Sequence, residues 1–171
     1  MTKDLNSRTV AQPISATRLR EFLTYSPNTG LFRWKNDHGK MKSGQAAGTI
    51  TSYGYIQICL DWRMYKAHRL AWLYIHGHMP ERQLDHINHN RTDNRISNLR
   101  EATPSENAQN RVGAQRNSKS GILGVHKFKN KWRAFIQING KTKNIGDFDT
   151  SEQARDAYLR AKRQLHPYWN I

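Results

Sequence analysis

Cysteine is almost missing from this chain of 171 residues. Cys59 stands alone, which excludes an internal disulfide and any Cys-x-x-Cys zinc knuckle. Its apolar neighbours Ile56, Ile58 and Leu60 predict a buried strand residue. Long apolar runs are missing too: none approaches the roughly 20 residues that a membrane helix needs. The polar N-terminus has no signal-peptide core. These absences predict a soluble protein of a reducing compartment with no membrane partner. Negative charge is scarce, with 13 Asp and Glu against 28 Lys and Arg, for a formal charge of +15. Such a field favours a polyanion, of which nucleic acid is the commonest, although a ribosomal or merely basic protein carries the same signature.

Patterning predicts an α+β chain. Residues 1–15 show no periodicity and are expected to be flexible. A short helix over Thr17–Thr24 points Leu19, Phe22 and Leu23 inward, and a strand follows at Leu31–Trp34. Tyr53–Leu60 reads as a strand that Arg63–Ala67 can pair with. His68–His76 has helical spacing and stops at Gly77. Leu84–Ile87 and Leu99–Ala102 read as short strands about a polar loop, followed by Thr103-Pro104-Ser105-Glu106. That run carries a capping Thr, a Pro at the first helical position and a Glu able to bond back, so a helix to about Arg111 is expected.

The stretch from Asp85 to Arg100 is crowded with imidazoles and amides, for which an apolar core has no use. Phosphodiester hydrolysis needs a Lewis acid, a base, and a group that holds the base in one tautomer. Asp85 is a hard oxygen ligand suited to Mg²⁺ or Mn²⁺. His86 titrates near neutral pH and fits the base. Asn98, twelve residues on, can take a hydrogen bond from one ring nitrogen, and Asn107 on the following helix can give the metal a second oxygen. His89 lies in the loop as a solvated residue or a phosphate contact, Arg69 is a candidate contact to the scissile phosphate, and Asp93 and Asn94 are expected to shape the loop.

Ala67-His68-Arg69-Leu70, Leu84-Asp85-His86 and Asp93-Asn94-Arg95-Ile96-Ser97-Asn98-Leu99-Arg100 together resemble the HNH nuclease motif in its phage and intron-encoded homing form. The resemblance spans about Ala67–Asn110. It implies a ββα-metal fold around one ion, with Asp85 and Asn107 as metal ligands, His86 as general base and Asn98 as the orienting residue. It further implies Mg²⁺ or Mn²⁺ in preference to zinc, since Asn107 stands where many members have His, and, for a phage-encoded chain, the cytoplasm of a bacterial host.

Gly113–Gly121 is small and polar, a linker pattern. Beyond it, Gly124–Lys129, Trp132–Ile138 and Lys143–Phe148 read as a three-stranded antiparallel sheet, with a hairpin turn at Asn139-Gly140. A capping box at Thr150–Gln153 starts a helix with Ala154, Ala157, Tyr158, Ala161 and Leu165 on one face. Trp132, Ala134, Ile136 and Ile138 suit the sheet face under that helix. Arg133, Phe135 and Gln137, with His126, Phe128, Thr142 and Asn144, then face outward, where a sheet can read base edges. Gly124-Val125, Lys131–Ala134, Ile145–Thr150 and Glu152–Tyr158 resemble an AP2-type DNA-binding domain, which carries more Arg and Trp on its outward face.

The expected organisation is a flexible 1–15, an HNH nuclease domain over 16–112, a linker over 113–120 and an AP2-like domain over 121–171. The expected function is metal-dependent, site-directed cleavage of double-stranded DNA by a monomer or weak dimer. The competing classes are a DNA-binding regulator with a decayed nuclease unit, which metal-dependent plasmid cleavage separates, and a nonspecific nuclease toxin or repair enzyme, which footprinting on a mixed library separates.

Overall fold

The computed structural model describes residues 14–169. The expectation of flexibility over 1–15 lies outside these residues except at its last two positions, where Ile14 is buried and Ser15 caps the first helix by accepting from Arg18 N at 3.1 Å. Helix α1 (Ala16–Phe22) gives way at Leu23 to β1 (Leu23–Ser26), which pairs antiparallel with β2 (Leu31–Trp34). The helix ends early because Leu23 and Tyr25 face inward with Phe32 and Trp34 on a period of two.

Strands β3 (Thr49–Ile50), β4 (Ile56–Leu60) and β5 (Arg63–Lys66) form an antiparallel sheet in that order. Cys59 is exposed, contrary to expectation. The pleat explains it: Ile58 and Leu60 turn into the core, so the residue between them turns out. β5 runs directly into α2 (Ala67–His76), which buries Ala67, His68, Leu70, Ala71 and Leu73 and ends at the left-handed Gly77.

β6 (Gln83–His86) and β7 (Leu99–Ala102) pair antiparallel across a long polar loop, and α3 (Pro104–Gln109) follows with its Thr103–Glu106 capping box intact. Residues 113–120 contain no helix or strand. The chain then forms the antiparallel sheet β8 (Val125–Phe128), β9 (Lys131–Ile138) and β10 (Lys141–Phe148), covered by α4 (Ser151–Leu165).

Apolar side chains gather into two clusters, one from Ile14 to Leu99 and one of Val125, Ala134, Ile136, Ala154 and Tyr158. Gly124 lets the second close: a Cβ there would stand 2.2 Å from the Tyr158 ring. Leu165 was expected on the buried face of α4 but is 37% exposed, whereas Lys162 is only 1% exposed. The helix outruns its sheet at that end, and Lys162 instead extends its stem inward to donate to the Arg111 carbonyl.

Candidate active site

The β6–β7 register sets Asp85 directly opposite Arg100 and His86 opposite Leu99. Asp85 is 9% exposed, and its Oδ2 accepts from Arg100 Nε at 3.1 Å, Arg100 Nη2 at 2.9 Å and Asn110 Nδ2 at 2.8 Å. All three bonds fall on one oxygen. Asn110 Nδ2 also reaches the His86 carbonyl at 3.2 Å, while Asn110 Oδ1 is buried with no partner. A buried amide oxygen left unpaired beside a carboxylate is costly unless something binds there.

The buried His86 ring places Nε2 3.2 Å from Asn94 Oδ1. An amide oxygen only accepts, so Nε2 is the donor and, in the neutral ring, Nδ1 keeps the lone pair. Burial pushes the His86 pKa below its ordinary value, against the Asn94 bond and the Asp85 charge, which favour the protonated form. The His68 ring stands edge-on to His86 at 5.0 Å, and Tyr55 lies 6.0 Å from it. Burial, followed by the charges of His86, Lys66 and Arg69, pushes His68 down to about 3, so it is a neutral wall of the site.

The sequence reading assigned orientation of His86 to Asn98, and the geometry differs. Asn98 accepts from Asn88 N at 3.0 Å and donates to the Asp93 carbonyl at 2.8 Å, while its own carbonyl accepts from Ile87 N at 2.9 Å. It clasps the loop shut and does not meet the imidazole. Asn94 takes that place because the N-terminal hairpin holds it: Tyr25 Oη donates to its carbonyl at 2.7 Å. Gly30 packs against the same backbone, where a Cβ would stand 2.4 Å from Arg95 N.

Asn107 likewise points elsewhere, donating to Gln83 Oε1 at 2.9 Å. One turn further on, Asn110 at the C-cap of α3 is the amide that meets Asp85. Among the described residues, no three His, Cys, Asp or Glu side chains are arranged to hold a metal. One carboxylate oxygen of Asp85 and the Asn110 amide oxygen are the groups that would hold a metal there, with water or phosphate completing its shell, an all-oxygen set that suits Mg²⁺. His89, expected in the loop as a solvated residue or a phosphate contact, is half-buried there: it adopts φ 63, and its Nε2 is buried without a partner. Arg69 lies half-buried in the first turn of α2, beside His68.

The sequence patterns give Asn94 only a loop-shaping role and assign none to Asn110 or Arg100. Arg100 also ties the site to the end of the chain, donating to the Tyr168 carbonyl with its guanidinium 4.9 Å from the Tyr168 ring. The Tyr168 hydroxyl bonds Glu106, the capping carboxylate of α3.

In the C-terminal sheet, register brings the outward set together. Arg133 stands beside His126 and Asp147, Phe135 beside Asn144, and Gln137 beside Thr142. The Phe135 and His126 rings lie 5.1 Å apart. Arg133 is not a free cation: it bonds both Asp147 oxygens at 2.6 and 2.7 Å and lies 3.6 Å over the Phe128 ring. Part of this face, with His126, Phe135 and Gln137, lines a groove of about 1290 Å³ whose other wall includes Pro104, Ser105 and Ala108 of α3.

The HNH endonuclease family model matches residues 65–109, the stretch from β5 through α3. The chain is 37% identical over 101 residues to an uncharacterized HNH endonuclease of Acanthamoeba polyphaga mimivirus, covering 57% of this chain and 51% of that protein. It therefore spans about half the length of that relative. It is 33% identical over 110 residues to Protein 3.8 of Escherichia phage T7, covering 61% of this chain and 89% of the phage protein. A solved structure of the HNH homing endonuclease I-HmuI aligns with a TM-score of 0.43 at 19% identity, covering 79% of this chain and 76% of that one. The family model is seated on the strand, loop, strand and helix that carry Asp85 and His86, so this chain carries an HNH endonuclease domain over residues 65–109.

Proposed function

We propose that the chain is a metal-dependent, site-directed DNA endonuclease of the homing type. Its His86 Nδ1 is the general base, Asn94 the residue that orients it, and Asp85 with Asn110 Oδ1 the protein ligands of Mg²⁺ or Mn²⁺. The observation that carries this reading is the pairing of two half-satisfied groups. A neutral imidazole is held through Nε2 with Nδ1 unengaged, and beside it a carboxylate is bonded on one oxygen only, next to an unpaired amide oxygen.

An ion held by Asp85 and Asn110 would supply Lewis-acid stabilisation of the charge that develops on the phosphodiester. His86 Nδ1 takes a proton from water as the water oxygen bonds to phosphorus and the leaving sugar oxygen departs. Asn94 keeps the other ring nitrogen protonated, so the lone pair stays on the reacting side. Arg100 and Asn110 fix the Asp85 carboxylate by saturating Oδ2, which leaves Oδ1 for the ion. Basic side chains along the chain give affinity for duplex phosphates, and the β8–β10 sheet, an AP2-like reader, supplies base contacts that set register. One such site per chain makes a nick the natural product of a monomer.

The test is supercoiled plasmid cleavage by the full chain and by His86→Ala. The variant is expected to lose about 10²–10⁴ in rate, the range for a general base. Gel-shift affinity is expected to stay near wild type, because phosphate contacts elsewhere carry it. Cleavage at the wild-type rate removes His86 from the mechanism.

A further inference from the structure

The β4–β5 hairpin ends in a two-residue turn, Asp61-Trp62, with φ 47 and φ 63. Left-handed backbone at both central positions is why Asn-Gly and Asp-Gly dominate such turns. The β9–β10 hairpin obeys that rule, with Asn139 at φ 49 and Gly140 at φ 77. Trp62 breaks it. A bulky side chain in the left-handed region is strained. Burial does not offset the strain here, because Trp62 is 99% exposed. The turn is nonetheless firmly held: Arg18 Nε and Nη2 each donate to Asp61 at 3.0 Å. A rigid, strained support thus presents a bare indole to solvent.

The outward side of the same ribbon pairs Cys59 with Met64 and Gln57 with Lys66, and Met64 is 55% exposed. The far end of the sheet is joined to the catalytic loop, where Arg91 Nη1 donates to the Tyr53 carbonyl at 2.8 Å and Tyr55 packs on His68 and His86. The ribbon is therefore anchored at its far end beside the candidate active site.

We propose that the Asp61-Trp62 tip is a second DNA contact, in which the ribbon enters a groove of the duplex beside the cut and Trp62 stacks on a base that it unstacks. This rests on the endonuclease reading above. Duplex DNA is the occupant favoured by the net charge of +15 and by the Lys66 and Arg91 cations where the ribbon meets the catalytic loop. A two-stranded ribbon fits the major groove, and inserted apolar side chains part base steps. β4 has five residues, about 17 Å at roughly 3.4 Å each. The contact should fall about five base pairs from the scissile bond, at roughly 3.4 Å per pair.

The experiment compares full-length wild type, Trp62→Gly and Trp62→Phe on a plasmid that the wild type cuts and on a duplex spanning the mapped cut. Trp62→Gly relieves the turn, so its Tm should equal or exceed that of wild type. Its affinity for the duplex should fall roughly five- to 150-fold, the range for losing one base stack. Permanganate should oxidise a thymine about five base pairs from the cut in the wild-type complex and spare it with Trp62→Gly. Trp62→Phe should restore most of both signals. Unchanged affinity and permanganate pattern in Trp62→Gly overturns the proposal, as does a lowered Tm, which would make Trp62 a support of the fold. Loss of self-association with DNA affinity intact would make the tip a protein interface, and also overturns it. A wild-type chain that neither binds nor cuts DNA sinks the endonuclease reading itself, and this one with it.

Discussion

Replacing Asn94 with Ala, and separately Asn98 with Ala, separates orientation of the base from closure of the loop. Asn94 is 1% exposed, and its Oδ1 is the acceptor 3.2 Å from His86 Nε2. Without it, a buried N–H loses its partner, which costs on the order of 1–3 kcal/mol or drives the ring to its other tautomer. The anchor from Tyr25 survives, since that bond is to the Asn94 carbonyl. Losing such a supporting bond typically costs about 10–100-fold in activity, below the roughly 10²–10⁴ of losing the base itself. Asn98→Ala instead removes bonds to Asn88 N and the Asp93 carbonyl, about 2 kcal/mol at roughly 1 kcal/mol per bond. Its stability should fall more than its rate.

Single-turnover cleavage with DNA saturated by protein gives the chemical step, and denaturant unfolding of the same preparations gives stability. Asn94→Ala is expected to be slow, with DNA affinity unchanged. Asn98→Ala is expected to unfold earlier and, while folded, to cut within a few-fold of wild type. The reverse pattern, with Asn94→Ala at full rate and Asn98→Ala slow at unchanged stability, would refute the assignment and return the orienting role to Asn98.

Two further outcomes are expected. Cleavage should require added Mg²⁺ or Mn²⁺ and stop in EDTA, and Mn²⁺ affinity by titration calorimetry should fall in the order Asp85→Ala most, Asn110→Ala next and Asn107→Ala least; full activity in chelator, or Asn107→Ala binding more weakly than Asn110→Ala, overturns the ligand set. Burial, then the Arg111 charge, pushes Lys162 down to about 8, below its usual value near 10.4, so the unfolded chain binds the extra proton between those two values and stability rises with pH across that window. Lys162→Met should abolish that rise in denaturant midpoint relative to wild type between about pH 8 and 10, and parallel curves for the two chains would reject the buried-amine account.

How legible the molecule was in its sequence depended on the kind of signal. Strands and helices with a clean period or a cap appeared where expected: α2 stops at Gly77, α3 begins on its capping box, and the β9–β10 turn sits on Asn139-Gly140. Positions where two periods compete were misread. Leu23 fits the last turn of a helix and the first residue of a strand, and only pairing with Trp34 decides between them. Cys59 has apolar neighbours along the chain, but the pleat turns it away from them. Asp85 and His86 stand out in the sequence as a carboxylate beside an imidazole, and β6 buries both. The amides were not legible. Asn94, Asn98, Asn107 and Asn110 are one residue type with one hydrogen-bonding repertoire, and which of them meets His86 or Asp85 is set by tertiary contacts far along the chain. The Tyr25 hydroxyl and the bare Cα of Gly30 select Asn94, and the length of α3 selects Asn110 over Asn107.

The same long-range logic alters the meaning of the linker pattern at 113–120. Small polar residues there suggest two units that act separately, and the two apolar clusters agree with separate cores. Polar contacts nonetheless cross between them at a sensitive place. Arg100 divides its guanidinium between the Asp85 carboxylate and the Tyr168 carbonyl, Tyr168 bonds the Glu106 that caps α3, and Lys162 reaches the Arg111 carbonyl just beyond Asn110. The side chain that fixes the candidate metal ligand is thus itself held by residues that follow α4, the helix that covers the β8–β10 sheet. A helix that must seat its own sheet while its last residues grip the nuclease leaves little freedom for the sheet to swing. If the sheet reads bases as proposed, the distance from them to the cut bond is set by this packing and not by residues 113–120.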